Sequence, residues 1–501
     1  MHSRMHRFAN MSLLNKLYKH NLILLTDLYQ LTMAYGYWKS GFQDHQSVFH
    51  LFFRENPFKG GYAVAGGLET AIEFLSNFHF DETDIEYLSS LKGNDGSRLF
   101  EQAFLDYLLG LEFTCSIDAI PEGNVVFPHE PLIRVTGPLL QAQLIETPLL
   151  NIINFQTLIA TKARRVVEAA QGEPILEFGL RRAQGIDGSL SASRAAYIGG
   201  CAATSNVLAG RLLDIPVKGT HAHSWVMCFD AEIDAFEAYA DAMPNNCIFL
   251  VDTYDSLEGV RNAVAIGKQL RKKGHEMIGI RLDSGDLAYL SIEARKILDD
   301  NGFSDAAIVA SNDLDEHLIS NLKQQGAKIS IWGVGTKLIT GFDQPSLGGV
   351  YKLSAIRNTK DHEWNYRIKL SDLAIKVTNP GILQVRRFMQ RGKPIGDMIY
   401  DIENPGDNGR VLVDPMDATR RKSISSDAEK YDLLAPIFRD GKCIYDPPTI
   451  HSIRGFAAEQ IKLFHAGIRR LINPHGYPVG LELGLYQRKT ELILKAKGFS
   501  E

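Results

Sequence analysis

The sequence predicts an α/β fold: an irregular β/α barrel over residues 146–353, an N-terminal α/β domain over 1–145, and a C-terminal region, 354–501, folded back on the N-terminal domain as a cap. Three observations predict it. From residue 175 onward short apolar runs alternate with helical stretches at roughly 30-residue spacing, which implies parallel strands joined by crossover helices. None of the connecting turns carries a GxGxxG pattern, which favours a barrel over a dinucleotide-binding sheet. Each run is apolar until its C-terminal end and then turns polar, where a barrel gathers its site.

Taken in order, the chain first offers Thr26 as an N-cap for an amphipathic helix carrying Leu28, Leu31, Met33, Ala34 and Tyr37. By pattern alone this is an ordinary packing helix. Residues 45–69 join an aromatic strand to a glycine-rich turn and a helix; Arg54 and Lys59 flank the turn as surface cations. Residues 116–135 are β-rich, punctuated by Pro121, Gly123, Pro128 and Pro131. The apolar region 139–159 is interrupted by Gln141, Gln143, Glu146, Asn151, Asn154 and Gln156. Such a helix belongs in a soluble core and not in a bilayer.

The organising stretch is 175–226. A buried strand at 175–178 ends at Gly179 and releases Arg181 and Arg182 into a loop, a helix is expected over 191–213, and a second strand over 217–226. In that second strand Val217, Gly219, His221, His223 and Trp225 would share one face. Further strands are expected at 247–255, 277–286, 307–313 and 329–336, with helices at 256–273, 287–300 and 314–325. Their ends carry Asp252, Thr253 and Asp255; Arg281, Asp283, Ser284 and Asp286; Ser311, Asn312 and Asp313; and Gly333, Gly335, Thr336 and Lys337. Any one such cluster reads equally as a helix cap. Six in register point to a common site. Beyond 353 the chain is turn-rich, then helical over 453–497 with a break at NPHGYP.

A net charge of −5 gives no general attraction to nucleic acid or anionic membrane. Five scattered cysteines without a CxxC pair suit reduced thiols in a cytosolic protein and give no cysteine zinc site. Residues 1–20 are basic but lack the apolar segment and cleavage site of a signal peptide, so a soluble cytoplasmic protein is expected.

Arginines at the strand ends, a GVGTK turn and several carboxylates suit a substrate carrying phosphate and sugar, with Mg²⁺ or hydroxyls on the carboxylates. GVGT taken alone reads as readily as a tight turn. The HxH pair, His221 and His223, leaves alternatives open: a metal that activates water for hydrolysis, a histidine nucleophile or phosphate acceptor, or rings satisfied by hydrogen bonds in the core.

Through TDLYQLTMAYGYW, FFRENPFKGGYAVAGGLE, EFGLRRAQG, GTHAHSWV, RLDSGDL, SNDLDE, GVGTKL and PSLGGVYKL, the chain resembles the nicotinate phosphoribosyltransferases of the type II phosphoribosyltransferase family, from about residue 24 onward. The resemblance implies formation of nicotinate mononucleotide and pyrophosphate from nicotinate and phosphoribosyl pyrophosphate, coupled to ATP hydrolysis, in NAD salvage. It puts the phosphorylated histidine on His223 and leaves His221 at a variable position of the motif. It also implies Tyr29 in the nicotinate site, delivered across a homodimer interface, with Phe178 stacked on the ring and Thr220, Arg281 and Arg181 nearby. Asp283 is implied at the ribose, Gly335 and Thr336 at the 5′-phosphate, and Mg²⁺ on the pyrophosphate, with Asp286 as the ligand nominated here. GTHAHS and TDLYQ favour nicotinate over quinolinate or nicotinamide. A metal-dependent hydrolase on His221 and His223, and a catalytically silent phosphate-binding barrel, are the alternatives.

Overall fold

A computed structural model describes residues 21–361, 363–406 and 410–499; the basic stretch 1–20, read above as lacking a signal peptide, lies outside them. The chain forms two compact units, one from the described residues of Met1–Leu158 with Ser346–Glu501, the other Ile159–Pro345. Among the described residues the first helix is Leu28–Lys39, and its N-cap is Asp27, not Thr26.

In the first unit, strands from both ends of the chain interleave. Gln46–Phe52 pairs antiparallel with Ile133–Pro138 on one side and with Val350–Arg357 on the other, and Ala435–Arg439 adds to Ser116–Ala119. Phe49, Phe53, Phe100, Phe104 and Val135 are buried in the core beneath this seven-stranded sheet. A second, six-stranded sheet is built from the C-terminal region alone, with Val479–Glu482 and Lys393–Asp401 at its centre and Leu383–Gln390 beside the latter. There Arg387 and Asp397 are both wholly buried and paired, the arrangement under which charges are tolerated in a core.

The second unit holds one parallel sheet in the order Ala203–Thr204, Ile175–Glu177, Ile331–Val334, Ala307–Ala310, Gly279–Leu282 and Ile248–Leu250. Crossover helices Ser256–Lys272, Leu287–Asp300 and Glu316–Gln324 follow three of its strands. The α/β class is as expected. Strand pairing does not close the sheet into a barrel, because Ala203–Thr204 and Ile248–Leu250 are edges.

Two expectations fail here. The helix over 191–213 is two: Gly185–Gly199 ends where Gly200 takes φ 118°, a left-handed cap that glycine adopts without strain, and Val207–Leu213 begins anew on the Asn206 cap. The strand over 217–226 is absent. Val217 makes a single parallel bridge to Thr204, residues 218–222 form a loop, and a short helix spans His223–Val226. His221 and His223 therefore do not share a strand face.

Among the described residues no helix is long and apolar enough to cross a membrane.

Candidate active site

At the strand ends of the second unit, the paired acids divide their work by position. Asp255, Asp286 and Asp315 accept backbone N–H bonds as N-caps of the helices that follow. Asp252 and Asp283, three residues before the first two caps, instead join each other: the Asp283 N–H donates to Asp252 Oδ2 at 2.9 Å, and Ser284 Oγ donates to the same oxygen at 2.6 Å. Capping thus accounts for Asp286, the residue nominated as metal ligand, and not for Asp252 or Asp283.

Arg281 is the hub. It leaves the end of the Gly279–Leu282 strand and donates from Nε to Ser311 Oγ (2.8 Å), from Nη1 to Thr220 Oγ1 (2.9 Å) and from Nη2 to Asp283 Oδ1 (2.9 Å). Ser311 Oγ also donates to Asp283 Oδ1. Burial raises the Asp283 pKa, but the Ser311 hydroxyl and the Arg281 guanidinium outweigh it, and the carboxyl ends below its ordinary value. The guanidinium carbon of Arg281 stands 5.7 Å from the centre of the Phe178 ring. Space for that ring depends on Gly333, where a Cβ would come within 2.8 Å of it.

Phe178 is held by two strands. Its N–H donates to Val334 O at 2.8 Å, and the residue before it, Glu177, is buried. The Glu177 carboxylate accepts from the Gly179 N–H, from Ser193 Oγ (2.9 Å) and from Thr204 Oγ1 (2.5 Å), fixing the turn that releases Arg181. Arg181 and Arg182 are exposed in the short helix Leu180–Arg182. Glu177 was missed in the sequence; the signal was a lone carboxylate inside the apolar run ILEFG. Ser311 was grouped only as one of a polar cluster.

His223 opens its short helix, with Nδ1 3.1 Å from Thr253 Oγ1 and Nε2 3.7 Å from Asp283 Oδ2. His221 points elsewhere: it is buried, and its Nε2 accepts the Leu250 N–H at 3.2 Å. Burial lowers its pKa to about 4. With that lone pair spent, the HxH pair does not make a metal site, and among the described residues no group of three or more His, Cys, Asp or Glu is arranged to hold a metal ion.

Gly335 follows the Ile331–Val334 strand as the N-cap of a short helix that Thr336 opens, Thr336–Ile339, while Lys337 turns away to Asp315 Oδ2 at 2.7 Å. Phe178, Thr220, His223, Arg281 and Asp283 are thus tied into connected contacts, with Gly335 approaching the Phe178 backbone. Tyr29 belongs to the other unit, where it is 48% exposed on the Leu28–Lys39 helix.

Comparison with known proteins is consistent over most of the chain. Residues 24–154 match the nicotinate phosphoribosyltransferase N-terminal domain, 174–371 the nicotinate phosphoribosyltransferase family domain and 383–489 the C-terminal domain. Nicotinate phosphoribosyltransferase of Bacillus subtilis is 46% identical over 95% of this chain and 96% of its own length. The Caenorhabditis elegans enzyme is 39% identical over 93% of this chain and 92% of its own. The crystal structure of human nicotinic acid phosphoribosyltransferase superposes with a TM-score of 0.82 at 33% identity, covering 93% of this chain and 99% of the human one. A nicotinate-nucleotide pyrophosphorylase from Pyrococcus furiosus, 22% identical with a TM-score of 0.66 over 87% of this chain and 94% of its own, shares the fold. The chain belongs to the nicotinate phosphoribosyltransferase family.

Proposed function

We propose that this chain joins nicotinate to phosphoribosyl pyrophosphate in the cytoplasm, releasing nicotinate mononucleotide and pyrophosphate for NAD salvage, and couples the transfer to ATP hydrolysis through His223. The observation that carries this reading is the Arg281 hub. Three of its bonds to Thr220, Ser311 and Asp283 pin a cation beside the Phe178 ring, which suits a planar aromatic acid. Nicotinate stacks on Phe178, and its carboxylate meets Arg281, Thr220 and the exposed Arg181. Asp283 takes the ribose hydroxyls, and Gly335 with Thr336 takes the 5′-phosphate. The pyridine nitrogen then attacks C1 as the C1–O bond to pyrophosphate breaks, and the held carboxylate stabilises the cation-like sugar.

A ring nitrogen of His223 accepts the γ-phosphoryl of ATP and ADP leaves; water later takes the phosphoryl group. Thr253 and Asp283 orient the ring for this. Mg²⁺ fits Asp252, whose Oδ1 is buried without a hydrogen-bond partner, better than Asp286, whose Oδ1 caps a helix. When bound, the ion would offset the charge on the departing pyrophosphate. Leu25, Leu28, Tyr29 and Met33 leave an apolar face exposed, which supports a homodimer in which Tyr29 completes the partner's nicotinate site. A metal-dependent hydrolase is not favoured, since His221 is engaged by backbone.

The test is incubation with ATP and Mg²⁺ followed by peptide mapping. An acid-labile phosphate on His223, absent from His223→Ala, supports the coupling; an unmodified His223 under turnover overturns it.

A further inference from the structure

The loop that carries the site histidine touches both edges of the parallel sheet. On one edge Thr204 N–H donates to Pro216 O and Lys218 N–H donates to Thr204 O, each at 3.0 Å. This is ordinary parallel pairing. On the other edge no backbone pairing is made. Val251 N–H bonds inward to Arg281 O at 3.1 Å, so the N–H of Leu250, one residue earlier, points away from the sheet. Leu250 is buried, and an unpaired N–H there would be costly. His221 Nε2 supplies the missing acceptor at 3.2 Å, its ring held edge-on by Tyr239 at 4.8 Å between centroids.

This bond falls between two site groups. Thr220 precedes His221 and receives the Arg281 hydrogen bond; His223 follows and faces Thr253 and Asp283. We propose that His221 is a positioning residue of the phosphoribosyl transfer: its ring stands in for a strand partner of Leu250, completing the closure that strand pairing leaves open and locking Thr220 and His223 in register. Burial keeps the ring in its neutral form, able to accept. The proton then resides on Nδ1, leaving the Nε2 lone pair for the Leu250 N–H.

The inference rests on the transfer reading above, and its test separates the two. His221→Leu keeps bulk and removes the acceptor; His221→Gln restores one at the position of Nε2. Full-length variants are compared by amide exchange at Leu250 and by kcat and KM for nicotinate mononucleotide formation. His221→Leu is expected to lose protection at Leu250 and to lower kcat by about tenfold to a hundredfold, with smaller changes in KM. His221→Gln is expected to keep the protection and regain most of kcat. A folded His221→Leu with wild-type kcat, or with Leu250 still protected, overturns the proposal. If His221→Leu does not fold, His221→Gln decides: an unprotected Leu250 in that folded variant overturns it. Wild-type protein that makes no nicotinate mononucleotide would sink the transfer reading, while the exchange comparison would still decide the His221–Leu250 bond.

Discussion

Arg281 and Asp283 leave the same strand end and meet again as an ion pair, Nη2 to Oδ1 at 2.9 Å, with Ser311 bonded to both. The pair is one rigid object, held from two neighbouring strands. Arg281→Lys keeps the charge but cannot reach Ser311, Thr220 and Asp283 at once. Loss of two charge-assisted bonds predicts a fall in kcat/KM of at least about a hundredfold, close to 3 kcal/mol. Steady-state kinetics against nicotinate would show it.

The depressed pKa of Asp283 carries a pH signature. A carboxyl whose folded value lies below its unfolded value lends stability that is fully present above the unfolded value and is lost as pH falls through the folded one. Asp283→Asn removes this contribution. The difference in denaturant stability between wild type and variant should be flat from neutrality down to the ordinary carboxylate range and shrink below it. A difference that grows on acidification would contradict the assignment.

Glu177 supports the turn under Phe178. Truncation in Glu177→Ala strands the donors of Gly179, Ser193 and Thr204 in a buried space. The expected cost is on the order of 2–4 kcal/mol of stability, with KM for nicotinate raised as Phe178 loosens. Thermal unfolding and kinetics together check it.

These residues also mark how far the sequence could be read. Parallel strands and crossover helices were legible because their periodicity and caps are local: the expected helix over 287–300 is the observed Leu287–Asp300. The strand over 217–226 was not, since its alternation of small and polar residues mimics a strand while tertiary bonds to Thr204 and Leu250 set the backbone. Thr26 and Asp27 are adjacent and both suited to capping, so pattern could not separate them. Phe178, Arg281 and Asp283 were found as strand-end residues. Thr220 and Ser311 were named too, but their bonds to Arg281 were not legible, because they reach it from distant positions in sequence. The split between Asp252 or Asp283 facing inward and Asp255 or Asp286 capping needs the strand ends to be known to the residue.

The proposed delivery of Tyr29 across a homodimer interface predicts complementation. Tyr29→Ala and Arg281→Ala, each inactive alone, would form mixed dimers with one intact site when co-expressed; random assembly predicts about one quarter of wild-type activity. Activity equal to the sum of the two variants' residual activities would show that each chain completes its own site.

The most direct test is the choice of base. Purified protein is supplied with phosphoribosyl pyrophosphate, Mg²⁺ and ATP, and with nicotinate, nicotinamide or quinolinate in parallel, while mononucleotide and ADP are followed together. The account predicts mononucleotide from nicotinate alone, rising with ATP and accompanied by ADP. Equal turnover of nicotinamide, which has no carboxylate for Arg281 and Arg181, or no product from any of the three bases, would contradict it.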